Sequence, residues 1–174
     1  YNSYKDKNNH FFNQLLSNET DEHLAIGNSK QSHEKRFDKV LEIGNIENST
    51  LLDVGCGLGG FYNYAKAKKI QFEYKGFDIN DGMISNAKLK NIEIEGAFEK
   101  FDILDANINN EYDFAISIGP LNLNLNEQLN YELTFKMIEK LFQCAKIGCA
   151  ISMTSIKSLR KNGETFYYDS KKIV

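Results

Sequence analysis

Leu51-Leu52-Asp53-Val54-Gly55-Cys56-Gly57-Leu58-Gly59-Gly60 is the stretch on which the fold turns. Thr50 to Val54 is an apolar run of strand length, and the glycines behind it end the strand. Gly55, Gly57 and Gly60 fit the spacing G-x-G-x-x-G, with a strand before them and helical spacing after them to about Lys69. Glycines at these positions let the backbone turn sharply and approach a ligand with no Cβ in the way. Residues 72–77 read as a second strand that ends at Asp78, where a carboxylate can accept both ribose hydroxyls of a nucleoside. A tight turn plus a surface acid is the plainer reading of the same residues.

Outward from this stretch the pattern alternates. Met83, Ile84 and Ala87 mark a crossover helix, residues 92–98 alternate apolar and polar side chains as a third strand would, and Tyr112–Ile118 is a fourth strand halted by Gly119-Pro120. Leu129, Leu133, Met137, Ile138, Leu141 and Phe142 trace a long amphipathic helix that Gly148 is expected to close, and residues 149–156 read as a fifth strand. Residues 121–126 alternate Leu and Asn with a strand's period, yet they lie between Gly119-Pro120 and a helix and are read as a loop. Upstream, Phe11, Phe12, Leu15 and Leu16 give a helix over roughly residues 4–16. A second helix is expected from near Asn28 or Ser29, either of which can cap it, to Ile43. Phe37, Val40 and Leu41 form its apolar face and Gly44 its stop.

Strands alternating with helices imply a doubly wound α/β fold. The sheet should be mostly parallel in the order 3-2-1-4-5, with N-terminal helices in addition and the ligand over the strand ends between strands one and four. Residues 1–174 are taken as one domain, 1–44 as its helical segment and 49–156 as its core.

Composition narrows the function. A 174-residue chain that is 41% hydrophobic with a net charge of −3 is too apolar and too nearly neutral for disorder. A pI near 5.7 without a Lys/Arg block gives no electrostatic case for binding nucleic acid, and no apolar run is long enough to span a bilayer. Three Cys (Cys56, Cys144, Cys149) and three His (His10, His23, His33) follow no zinc-like spacing. No metal is expected, and a reduced, cytoplasmic setting fits.

Asp53 chooses between nucleosides. A dinucleotide would set its pyrophosphate on this helix N-terminus, and a carboxylate two positions before Gly55 opposes that charge. S-adenosylmethionine has no phosphate, and it carries a sulfonium and an α-ammonium that a carboxylate favours. The other reading of Asp53 is a structural acid bonded to loop amides.

At this point the chain resembles the class I S-adenosylmethionine-dependent methyltransferases. Residues 51–59 look like their first motif, and Gly76-Phe77-Asp78-Ile79-Asn80 is similar to the second, whose acid binds the ribose. Phe101-Asp102-Ile103-Leu104 is similar to the third, where an Asp takes the adenine amino group. Tyr112-Asp113-Phe114-Ala115-Ile116-Ser117-Ile118-Gly119 looks like the fourth strand, whose end lies beneath the methyl donor. Arg36-Phe37 before the first motif and Tyr167-Tyr168-Asp169 after the fifth strand are similar to a bacterial-type branch of the family. The resemblance also implies a further helix and an antiparallel pair of strands after the fifth. They are not found before Val174, so the C-terminal part is expected to be incomplete and the sheet edge to need a cover, such as a partner.

The resemblance implies a methyltransferase with S-adenosylmethionine as cofactor and S-adenosylhomocysteine as product. It places Asp53, Gly55, Cys56, Gly57, Asp78, Ile79, Met83, Asp102, Ile103 and Ser117 around the cofactor. Ile79 and Ile103 would sandwich the adenine and Met83 would cap it, unless all three are core. Cys56 is the small side chain such a loop tolerates. Arg36 has a fork suited to the methionine carboxylate, although a helix-surface arginine is the alternative. His33, on a neighbouring part of that helix face, is a candidate base, although a lone helix-surface His usually is not one.

Methyl transfer is an in-line displacement at an already activated carbon, so alignment and exclusion of water dominate, and no catalytic residue is assigned. The fourth strand ends in Ser117-Ile118-Gly119-Pro120-Leu121 and not in the Asn/Asp-Pro-Pro-aromatic run of base methylases. A small-molecule acceptor is therefore expected, held by the N-terminal helices, the loop 121–126 with Asn122, and the chain around Tyr167. Oligomeric state is left open. A nicotinamide-dependent oxidoreductase and a non-catalytic S-adenosylmethionine-binding module are the alternatives.

Overall fold

Leu51 and Leu52 are consecutive and both fully buried, which requires packing on both faces of the strand that carries them. A computed structural model, which describes residues 2–18, 30–105, 108–109 and 111–173, supplies both layers. Its helices are α1 (Asn2–Asn18), α2 (Lys30–Leu41), α3 (Gly60–Ala67), α4 (Asp81–Lys90) and α5 (Glu127–Cys144). Its strands are β1 (Thr50–Val54), β2 (Glu73–Asp78), β3 (Phe98–Lys100), β4 (Tyr112–Ile118) and β5 (Ala145–Ser152). The strands form one parallel sheet in the order β3-β2-β1-β4-β5, so the expected doubly wound Rossmann-like topology is the one observed.

Side chains divide by face. Leu51, Phe114 and Ile116 pack with Phe37 and Val40 of α2 and Phe61 of α3. Leu52, Val54 and Ala115 pack on the other side with Leu133, Met137 and Leu141 of α5, and Tyr4 of α1 joins them. No helix among the described residues is long and apolar enough to cross a membrane.

Two strands differ from expectation. Residues 92–97 are a 3-10 segment, not strand, and only Phe98–Lys100 pairs with β2. The alternation there does not mark a buried face, since Ile92 is 72% exposed while Phe98 is buried. The fifth strand starts at Ala145, directly after α5, where the backbone is already extended. Gly148 therefore ends no helix. It pairs with Phe114 just past a register shift between β4 and β5, the setting in which a strand glycine marks a bulge. The loop reading of residues 121–126 holds, with one antiparallel bridge from Leu123 to Thr165. The expected caps Asn28 and Ser29 and the site of His23 lie outside the described residues.

Candidate functional site

The glycine turn is built by two close approaches. Gly55 has φ +76°, and a Cβ on it would lie 2.5 Å from Pro120 Cβ, so the ends of β1 and β4 can meet this closely only with glycine at this position. The Gly55 and Cys56 amides both donate to the Phe77 carbonyl, at 2.7 and 3.0 Å, and the Gly57 amide donates to Asp78 Oδ2 at 3.0 Å. Three successive N–H groups thus lock the turn onto the end of β2. A Cβ on Gly57 would meet nothing within 4 Å, which leaves its outer face open to a ligand.

Over these strand ends lies a cavity of about 710 Å³. Of the expected cofactor residues it is lined by Arg36, Asp53, Gly55, Cys56, Gly57, Asp78, Ile79, Met83, Asp102 and Ile103. Ser117 does not line it. Its hydroxyl is fully buried and donates to the Val54 carbonyl at 2.9 Å, tying β4 to β1, so a strand-end position by itself did not bring this side chain to the site.

The acids differ in surroundings. Asp78 also accepts from the Asn80 amide at 2.9 Å, and burial raises its carboxyl despite these backbone hydrogen bonds. Asp53 is 3% exposed; burial pushes it from 3.8 to about 7, against the hydrogen bond it accepts from Tyr74 Oη at 2.9 Å and with help from the Asp78 charge. Asp102 is paired with Lys5 of α1 at 2.7 Å and accepts from the Leu104 amide at 3.0 Å. The Cys56 thiol is pushed well up by burial and by Asp78 and Asp53, so it stays protonated and unreactive. Met83 is buried against Leu58, with Phe12 and Leu16 of α1 beside them.

Helix α1 roofs the cavity, in keeping with the expectation that the N-terminal helices help to build the pocket. Tyr4, Asn8, Phe11 and Phe12 line the site, and Asn80, which caps α4, donates to Asn9 and Asn13 at 3.1 Å each. The spacing of Tyr4, Asn8, Phe11 and Phe12 along one helix stripe was the available signal, but Asn8 breaks its apolar character. At the other end, His33 is 8% exposed and stacked edge-on with Phe37 at 5.7 Å, and it lines the cavity with Arg36. Arg36 Nη1 lies 3.4 Å from where a Gly119 Cβ would be.

Asn122 also lines the cavity, but its Oδ1 accepts from the Thr154 amide at 3.0 Å, so it joins two loops as well. Tyr167 lines the cavity and Tyr168 does not. Tyr168 instead donates to the Leu121 carbonyl at 2.7 Å, while Thr134 and Asn130 donate to its hydroxyl at 3.1 and 3.3 Å. Asn130 in turn donates to the carbonyls of Leu121 and Leu123 and accepts from the Leu125 amide. This buried group holds the loop 121–126 in place, and nothing in a helical hydrophobic pattern announces a buried Asn.

A parallel sheet with a glycine turn at the end of β1, an acid at the end of β2 and a cavity across both defines a Rossmann-like α/β protein. The chain belongs to the methyltransferase domain family, whose model matches residues 28–140. It is 30% identical over 130 residues to the methyltransferase-named protein 235L of Invertebrate iridescent virus 6, covering 73% of this chain and 48% of that one. It is 29% identical over 124 residues to the methyltransferase-named protein Rv1506c of Mycobacterium tuberculosis, covering 70% of this chain and 66% of that one. The chain thus spans 48% and 66% of the lengths of these two relatives. Its fold is similar to that of magnesium protoporphyrin IX methyltransferase from Synechocystis PCC 6803, solved with bound S-adenosylhomocysteine. The TM-score is 0.67 and the identity 17%, over 99% of this chain and 83% of that one.

Proposed function

We propose that the protein is an S-adenosylmethionine-dependent methyltransferase acting on a small molecule held in this cavity. The observation that carries the reading is the Asp78 carboxylate set at the end of β2 against the Gly57 amide, beside the open face of Gly57. The residues present fit the cofactor. Asp78 would hold the ribose hydroxyls, Ile79, Met83 and Ile103 would line the adenine slot, and Asp102, fixed by Lys5, would take its amino group. Asp53, once it ionises above about pH 7, would favour the cofactor's positive charge and oppose a pyrophosphate. When bound, the cofactor supplies a methyl group already activated by its sulfonium. The chain's own work is then to orient the acceptor and exclude water, for which the roof formed by α1 and the half-buried Arg36 are placed. The three free cysteines, two of them buried, agree with a reducing compartment.

Calorimetric titration tests the reading. S-adenosylmethionine and S-adenosylhomocysteine should bind with a stoichiometry of one and a nicotinamide dinucleotide should not. Binding of the dinucleotide alone would overturn it.

A further inference from the structure

The chain contains two arginines and nineteen lysines. Both arginines line the cavity, and none of the lysines among the described residues does. Arg36 stands at the inner end, beside Gly119 after β4. Arg160 stands at the mouth, exposed, on the segment that follows β5. The aspartates are segregated from it: Asp53 and Asp78 lie at the ends of β1 and β2, and Asp102 is paired with Lys5, which leaves Glu164 as the one lining carboxylate on Arg160's own segment among the described residues.

The segment carrying Arg160 is held in a defined shape. Ser158 Oγ donates to the Arg160 carbonyl at 3.0 Å, and Tyr167 Oη donates to the same carbonyl at 3.5 Å while accepting from the Asn162 amide at 2.9 Å. Asn162 Oδ1 accepts from the amides of Glu164 and Thr165 at 3.0 and 2.8 Å. Asn124 then pins the segment to the opposite loop, its amide donating to the Glu164 carbonyl at 2.8 Å and its Nδ2 to the Gly163 carbonyl at 2.9 Å. Polar groups of Ser158, Asn162 and Tyr167 are therefore spent on the loop's own geometry. The Arg160 guanidinium is not: among the described residues it forms no ion pair, not even with Glu164 at the same mouth.

Resting on the methyltransferase reading, we propose that the methyl acceptor carries an oxyanion, a carboxylate or a phosphate, that Arg160 grips at the cavity mouth. A guanidinium presents a planar pair of donors matched to two oxygens, which a lysine ammonium does not. Because the loop is already shaped, binding orders the side chain of Arg160 but not its backbone. An anchored anion at the mouth leaves the acceptor's other end directed at the strand ends, where the methyl is delivered.

The test uses the protein saturated with S-adenosylhomocysteine and three probes: benzoate, inorganic phosphate and neutral benzamide. Calorimetry is run on the native protein, Arg160→Gln and Arg160→Lys. At least one anion should bind more tightly than benzamide, and which one distinguishes a carboxylate acceptor from a phosphate acceptor. Arg160→Gln should weaken that anion about tenfold, the lower end for a charge-assisted hydrogen bond at an exposed residue. Arg160→Lys should recover part of the loss, and benzamide and cofactor affinities should not change. Anions binding no better than benzamide, or equally well to Arg160→Gln, would overturn the proposal. If S-adenosylhomocysteine itself fails to bind, the methyl-donor reading falls instead, and the same probes titrated into the unloaded protein still decide the role of Arg160.

Discussion

Asp53→Asn should remove a pH dependence built into the glycine turn. The folded carboxyl keeps its proton up to about 7 because it is buried, whereas the unfolded one releases it near 3.8. Between those values the folded state binds more protons than the unfolded state, so stability falls as pH rises through this window and levels off above about 7. At about 1.4 kcal/mol per tenfold change in proton affinity, the whole interval amounts to about 4 kcal/mol. Asparagine is neutral throughout, nearly the same shape, and still offers an oxygen to the Tyr74 hydroxyl that now donates at 2.9 Å. The variant should therefore match the native protein near pH 4 and exceed it by about 4 kcal/mol at pH 8. Asp78 is raised mainly by its own burial, so the larger share of its contribution is common to both proteins, and only its mutual repulsion with Asp53 is lost in the variant. Urea unfolding of the cofactor-free proteins at intervals from pH 4 to 8 measures the gap. A gap that stays constant, or closes as pH rises, would refute the assignment. The same charge should make native S-adenosylmethionine affinity increase as pH rises through about 7, with the variant flat.

Four further substitutions probe the rest of the site. Asp78→Ala should weaken S-adenosylhomocysteine binding by about 1.5–3 kcal/mol in calorimetry, the range for a hydrogen bond to a charged group; unchanged affinity in a folded variant would remove Asp78 from the ribose site. Gly55→Ala should cost about 2–4 kcal/mol in urea unfolding, because the new Cβ meets Pro120 at 2.5 Å from a backbone at φ +76°. Tyr168→Phe should cost about 1–3 kcal/mol, since the Leu121 carbonyl, Thr134 and Asn130 lose a shared buried partner. Asn122→Ala should leave S-adenosylhomocysteine affinity nearly intact and lower turnover, because its carboxamide anchors Thr154 on the acceptor side; lost cofactor binding instead would assign this loop to the cofactor.

β1 and β4 were legible as short apolar runs ended by a glycine and β2 by the acid at its end, despite its polar Glu73 and Lys75, and the strand order followed from the alternation of strands and helices. The strand-end residues that line the cavity were legible because strand ends and turns are local features of sequence. The third strand was misread because Ile92 and Ile94 alternate with Glu93 and Glu95 although Ile92 faces solvent. Periodicity reports side-chain pattern, not burial. Ser117 was placed at the site by position along β4, but the pleat turns its hydroxyl to the Val54 carbonyl. A place for the N-terminal helices at the pocket was expected, but not the contacts that seat α1 there. Its partners, Asn80 and Asp102, are far away in sequence, and contacts such as Lys5 to Asp102 follow from tertiary packing alone.

The loops at the other end of the cavity are built on another plan. The loop 121–126 and the segment after β5 bind each other through the Leu123–Thr165 bridge, through Asn124 to Gly163 and Glu164, and through the Phe166 amide to the Asn122 carbonyl at 2.7 Å. Asn130 and Tyr168 fasten that pair to α5 from beneath. Residues brought together by such a network are energetically coupled, so their substitutions do not add. The glycine turn is instead bonded to β2, through the Gly55 and Cys56 amides and the Asp78 side chain, and meets the β4 end at Pro120, so under the proposed function the loops facing an acceptor are fastened differently from the strand ends proposed for the cofactor.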